Sequence, residues 1–139
     1  MSGATDVAAV TPRIRPRLRS QVERAFHQLD QHRSASATQL REGVVFDRLL
    51  LRFRRLVESG GYVMSLHARD EMAADRLTVF DVERCVLTGS IVERQRDRKS
   101  GEWKYVIVGW SVSDSECVVI GKLTPTGKLA VLTVFTLDG

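Results

Sequence analysis

His67 stands one helical turn before Glu71 in the run Ser65-Leu-His-Ala-Arg-Asp-Glu-Met72. At i, i+4 spacing the two side chains share a helix face, so the carboxylate can fix the orientation of the ring. An oriented imidazole can serve as general acid or base near neutral pH. The same pair also fits a surface histidine with a helical neighbour. A second set lies in β-like stretches. In Glu102-Trp-Lys-Tyr105, strand alternation puts Trp103 and Tyr105 on one face and Glu102 and Lys104 on the other. Lys104 would then face outward with Glu93 or Arg94 of the neighbouring strand. Lys122 ends the next run, and Thr133 lies in the middle of the last. A sheet face carrying Lys, Arg and Thr can bind a phosphate and stabilise charge developing on it. An ordinary solvated sheet face would read the same way.

Arginines form a third group. Arg13, Arg15, Arg17 and Arg19 alternate with Pro, Ile and Leu, and Arg48, Arg52 and Arg55 recur at helical spacing. They can contact nucleic-acid phosphates without sequence preference, or an acidic protein partner, and a basic tail can also lack a function. The dense run Glu93-Arg-Gln-Arg-Asp-Arg-Lys99 is nearly balanced in sign and reads as a solvated strand end and turn. Cys85 and Cys117 lie in apolar runs without CxxC spacing, which suggests reduced, buried thiols in a cytoplasmic protein. There is no Gly-rich phosphate loop, GxSxG or HExxH, and His and Cys are too few for a metal site, so neither metal nor cofactor is expected.

The elements that must position these groups follow from spacing. Thr11-Pro-Arg-Ile-Arg-Pro-Arg-Leu-Arg19 holds two prolines four apart and should be extended. Ser20 and Glu23 form a capping box, and Val22, Ala25, Phe26 and Leu29 make a short amphipathic helix ending near His32. His27 and His32 should face solvent, and residues 34–38 form the expected linker. A helix from about Val44 to Val57 carries Phe46, Leu49, Leu50, Phe53 and Val57 inward, with Gly60-Gly61 as its stop. Ser65 caps a helix over residues 66–75, and Thr78 and Asp81 box the start of another that turns Val82, Cys85 and Val86 inward and stops at Gly89.

After Ser90 the pattern becomes β. Runs at 91–95, 103–110, 117–123 and 129–137 are separated by turn residues, which predicts a four-stranded antiparallel meander. Helices would cover one face, because Val106, Val108, Val119 and Val131 need a partner layer. The expected class is α+β, with N-terminal helices packed on one face of a four-stranded antiparallel sheet.

Composition sets the limits. The chain has 139 residues, 43% hydrophobic, with 21 Lys+Arg against 17 Asp+Glu for a net charge of +4. Residues 1–60 hold eleven arginines against six acids, and residues 61–139 hold ten basic residues against eleven acids, so the basic excess is N-terminal. No apolar run approaches the roughly 18–20 residues of a membrane span. The first residues lack the apolar core of a secretory signal. A division into a basic extension, residues 1–40, and a domain, residues 41–139, fits this distribution.

Several motifs in order resemble the domain of unknown function 4258 family: the 65–72 stretch, Leu77-Thr-Val-Phe-Asp-Val82, Leu87-Thr-Gly-Ser-Ile-Val-Glu-Arg-Gln95, Glu102-Trp-Lys-Tyr105, and Thr126-Gly-Lys-Leu129 through Leu132-Thr-Val-Phe135. That family is bacterial and often encoded beside a zinc-ribbon antitoxin of the MqsA kind. It is grouped with the barnase–EndoU–colicin–RelE fold, whose members are mostly metal-independent ribonucleases. The resemblance therefore implies a RelE/barnase-like fold and a toxin-like RNA-cleaving activity in a type II toxin–antitoxin pair. It implies RNA, such as ribosome-associated mRNA, as substrate, and a zinc-ribbon or helix-turn-helix antitoxin as partner.

His67 matches the family's helix His, Lys104 and Lys122 its basic strand positions, and Thr133 its polar position on the last strand. Many relatives carry arginine then glycine where this chain has Asp75 and Arg76, so phosphate binding would pass to Arg76. A terminal aromatic, often Tyr, is Phe135 here. The expected catalytic set is His67, Glu71, Lys104, Lys122 and Thr133, with Arg76, Arg94, Arg48, Arg52 and Arg55 holding substrate. The alternative is a non-catalytic RNA- or protein-binding module of the same fold.

Overall fold

The computed structural model describes residues 37–137, with side chains from Arg41. The expected extended segment, the helix over 20–32 and residues 34–36 of the linker lie outside the described residues. The first helix, α1 (Ala37–Glu58), begins seven residues before the expected Val44. No proline interrupts this stretch, and Gly43 costs a helix only about 1 kcal/mol, so the turn continues through it. The boundary between residues 40 and 41 thus falls inside α1. This helix buries Leu50, Phe53 and Val57 and exposes Arg48, Arg52 and Arg55. Gly60 stops it at φ +75°, a conformation that suits glycine, while the Gly61 N–H bonds the Leu56 carbonyl at 2.7 Å.

Strand β1 (Tyr62–Met64) follows at once, too short to show a period. Then come α2 (Leu66–Ala74) and α3 (Val79–Thr88). The Ser65 Oγ accepts from the Ala68 N–H at 3.0 Å, the expected cap. At α3 the Thr78 N–H donates to Asp81 Oδ2 at 2.7 Å. Val82, Cys85 and Val86 are buried, as their spacing requires.

Strands β2 (Ser90–Arg96), β3 (Trp103–Trp110), β4 (Glu116–Leu123) and β5 (Leu129–Thr136) form the antiparallel meander. The sheet is nevertheless five-stranded and mixed, in the order β1-β5-β4-β3-β2, because β1 pairs parallel with β5. The four-stranded antiparallel sheet is corrected to that extent; the α+β class stands.

The three described helices pack on one face of the sheet, where Ile91, Ile107, Cys117, Val119, Leu129, Val131 and Val134 meet Leu50, Phe53, Ala68, Met72 and Cys85. Val92, Val106, Val108, Val118, Ile120 and Phe135 form a separate buried cluster on the other face. The four valines expected under the helices therefore divide. Val119 and Val131 lie under them, while Val106 and Val108 point away, because Ile107 is the residue opposite Val119. The helix layer approaches closely at Gly109, where an added Cβ would collide with the Cys85 carbonyl oxygen. Both cysteines are buried and free, and the hydrogen bond with Cys117, followed by burial, pushes the Cys85 thiol well up.

Candidate functional site

Helix α2 lies along β5, and its carboxylates meet the strand's edge. β1 pairs with β5 only as far as Val131. Beyond that point Glu71 Oε1 accepts from the Val134 N–H at 3.3 Å, and Asp75 Oδ2 from the Thr136 N–H at 3.0 Å. Four residues advance a helix by about 6 Å and two advance a strand by about 6.6 Å, so an i, i+4 carboxylate pair matches alternate strand amides.

The same Glu71 Oε1 lies 3.1 Å from His67 Nε2; the glutamate side chain is 2% exposed and the histidine 49%. A buried carboxylate anchored on backbone thus holds a ring that solvent or a ligand can reach. This is the expected pair, with an additional structural role for Glu71.

The strand residues form another group. Register places Lys104 opposite Gln95, Lys122 opposite Ala130, and Thr133 opposite Ile120. All three share the face of Val106 and Ile120, opposite the face on which α2 packs. Among the described residues, no hydrogen bond or ion pair joins them to His67.

Lys122 Nζ bonds Glu102 Oε2 at 2.5 Å, and that bond holds the lysine above its usual range. The N–H groups of Lys99 and Ser100 hold the turn residue Asp97 below the usual carboxylate range, with Lys104 and Lys122 adding to the effect. The lysine row is therefore flanked by acids that compensate it.

Arg94 was expected beside Lys104. A β-bulge between Ile91 and Glu93 shifts the register, so Arg94 lies opposite Tyr105 on the helix face and Gln95 lies opposite Lys104. The Arg94 and Arg96 guanidinium carbons stand 4.2 and 5.2 Å from the Trp103 ring centroid, and Arg94 also pairs with Glu42 of α1 at 3.7 Å. Tyr105 packs on Phe46 and Phe53. Arg96 and Trp103 escape a sequence reading because their meeting depends on the hairpin register, Arg96 opposite Trp103.

Arg54 was missed as well. Its Nε and Nη2 donate to the Val86 and Gly89 carbonyls at 3.2 and 2.9 Å, placing a cation at the C-terminus of α3.

Arg76 follows α2 at φ +56°, with the Leu77 N–H returning to the Met72 carbonyl at 2.8 Å. A left-handed backbone at a helix end is the conformation that suits glycine. Arg76 therefore lies just past the C-terminal end of α2, whereas His67 lies in its first turn.

Asp81 is the other buried carboxylate with defined partners. Burial pushes it up, but the backbone N–H groups of Thr78 and Val112 and the Thr78 hydroxyl outweigh burial and hold it below its ordinary value. Tyr62 is pushed up to about 12 by burial and by its bond to Glu83. Among the described residues, no group of three or more His, Cys, Asp or Glu side chains could hold a metal, and no helix is long and apolar enough to cross a membrane.

These features define an α+β domain with a helix-borne His–Glu pair at the edge of a mixed sheet. The chain belongs to the family described as Domain of unknown function (DUF4258), whose model matches residues 64–136. That span covers β1's last residue, α2, α3 and the whole meander, and includes His67, Glu71, Lys104, Lys122 and Thr133. No curated protein and no solved structure gives a significant match.

Proposed function

We propose that this chain is a toxin-like, metal-independent endoribonuclease domain of the RelE/barnase-like group, held in check by a cognate zinc-ribbon or helix-turn-helix antitoxin. The observation that carries the reading is the half-exposed His67 held at 3.1 Å by a buried Glu71 that is itself anchored on the Val134 amide. His67 takes the proton of a ribose 2′-hydroxyl as that oxygen attacks the adjacent phosphorus. The bond from phosphorus to the 5′-oxygen breaks, leaving a 2′,3′-cyclic phosphate. The 5′-oxygen takes up a proton from the imidazolium or from water.

Arg48, Arg52 and Arg55, exposed on α1, draw the RNA backbone to the domain. Lys104, Lys122 and Thr133 serve as backbone contacts on the opposite face rather than as partners of His67. One positioned acid–base group contributes about 10²–10⁴-fold, so cleavage is modest and His67→Ala removes it. The test is purified full-length protein with a long RNA, wild type against His67→Ala, with circular dichroism to show equal folding. Folded wild-type protein that leaves the RNA intact overturns the reading.

A second reading, a non-catalytic RNA- or protein-binding module, is favoured by one observation. The lysine row faces away from α2, and Lys122 is already paired with Glu102. On that reading His67→Ala leaves binding and any growth phenotype unchanged.

A further inference from the structure

Trp103 stands on the helix face of the sheet, yet among the described residues it packs into neither buried apolar cluster. Phe46 and Phe53 of α1 cover Tyr105. Trp103 is two residues, about 7 Å, further along the same strand face, beyond the rim of the helix layer, and it stays 37% exposed. Core packing therefore does not account for an indole at this position. What the ring meets instead is cationic, with the Arg94 and Arg96 guanidinium carbons 4.2 and 5.2 Å from its centroid.

The positive charge there is only partly balanced. Glu42 pairs with Arg94 at 3.7 Å, whereas Arg96 Nε donates to a neutral acceptor, the Gly101 carbonyl, at 3.1 Å. The acids of the hairpin are engaged elsewhere: Asp97 accepts from the Lys99 and Ser100 amides, and Glu102 from Lys122. Arg98 and Lys99 are exposed in the turn. At the same end of the meander, Arg52 Nη2 lies 3.8 Å from where a Cβ on Gly127 would stand.

We propose that Trp103, Arg94 and Arg96 form a subsite for one unpaired RNA nucleotide, whose base stacks on the indole and guanidinium planes while the adjoining phosphates take the guanidinium N–H groups. The subsite rests on the reading that RNA is the ligand, and it adds where an unpaired base docks. Every base has a π-face, so such a platform is tolerant of sequence. A guanidinium against a ring keeps its in-plane donors for a phosphate. Bases in a duplex are already stacked on one another, so the platform selects single strands. An acidic peptide could pair with the arginines, but its carboxylates offer the indole nothing to stack on.

Helix α1 leads from this platform toward His67. Glu42 ties its first half to β2, and just past its end the Gly61 carbonyl accepts from the Leu129 N–H of β5. The exposed Arg48 and Arg52 lie between. β2 and β5 are three strand spacings apart, about 14 Å. The stacked base is thus remote from the bond that His67 serves, and the subsite governs affinity rather than the chemical step.

The test uses the full chain with Trp110→Phe, which leaves Trp103 as the sole tryptophan. The probe is a 2′-fluoro oligoribonucleotide, which lacks the attacking hydroxyl, alone or annealed to its complement. The single strand should quench Trp103 emission and the duplex should not. Trp103→Leu should weaken single-strand binding about tenfold, read by anisotropy of a labelled oligomer. Trp103→Phe, which keeps a ring, should retain most of the affinity. Neither variant should change the salt dependence of binding, because no charge is lost.

Single-strand binding without quenching, equal quenching by the duplex, or full affinity in Trp103→Leu overturns the subsite and leaves RNA as the ligand. Equal quenching by polyglutamate assigns the patch to an acidic protein and also overturns it. RNA that is neither bound nor cleaved by the wild-type chain overturns the functional reading and the subsite together. Where Trp103→Leu does not fold, the quenching titrations on the Trp110→Phe chain decide.

Discussion

The two faces of the sheet bury similar side chains by different means. On one, α1, α2 and α3 are fastened by polar contacts as well as by apolar packing: Arg54 to the end of α3, Asp81 to the Val112 amide, and Glu71 and Asp75 to the edge of β5. On the other, Val106, Val118, Ile120 and Phe135 form a cluster of sheet residues with no such fastening among the described residues. The contrast explains the composition of the central strands. Trp103–Trp110 and Glu116–Leu123 carry runs of buried residues, four and five long, rather than alternating ones. A strand with one wet face alternates, and a strand covered on both sides does not.

The sharpest way to break this comparison is to empty each face in turn. Phe53→Ala and Phe135→Ala each remove a fully buried ring and should each cost about 3–5 kcal/mol in urea unfolding. A cost for Phe135→Ala below about 1 kcal/mol would show that the far face is not a true core. Next, Asp81→Asn tests the polar fastening of the helix layer and should cost about 1–3 kcal/mol. The sign of its pH dependence follows from the lowered carboxyl. The contribution is complete above the ordinary carboxylate value and is lost as pH falls through the depressed one, so acid should narrow the gap between wild type and variant.

A smaller effect of opposite sign comes from Arg76→Gly. It relieves a left-handed backbone at φ +56° and should stabilise by about 1 kcal/mol, read as a rise in Tm. The smallest is Lys122→Gln. Its ion pair joins side chains 25% and 46% exposed, so the loss should stay within about 0.5 kcal/mol and shrink further in salt.

Local signals carried well into the structure. The Ser65 cap, the Thr78–Asp81 box, the inward set Val82, Cys85 and Val86, and the bounds of β3 all depend on residues a few positions apart. What failed depends on distant partners. β1 exists only because Leu129 and Val131 accept it as a neighbour, and three residues carry no period of their own. The faces of Val106 and Arg94 depend on parity and on a bulge, and one residue of slip exchanges the faces.

The candidate site divides along the same line. His67 with Glu71 was legible as i, i+4, and Lys104, Lys122 and Thr133 were legible as strand residues pointing outward. Whether the two groups meet depends on which side of the sheet α2 takes. Nothing local in residues 65–75 encodes that choice.

The grip of α2 on β5 has a consequence for behaviour at high concentration. An uncovered strand edge is a template on which another molecule's strand can grow. Where β1 ends, Glu71 and Asp75 occupy the β5 amides at Val134 and Thr136 with charged acceptors from residues 63 and 61 positions away in the chain. A second molecule could recruit that edge only by first displacing the helix that carries His67. Any substitution that loosens α2 would therefore spoil the histidine's setting and invite strand-to-strand assembly at the same time.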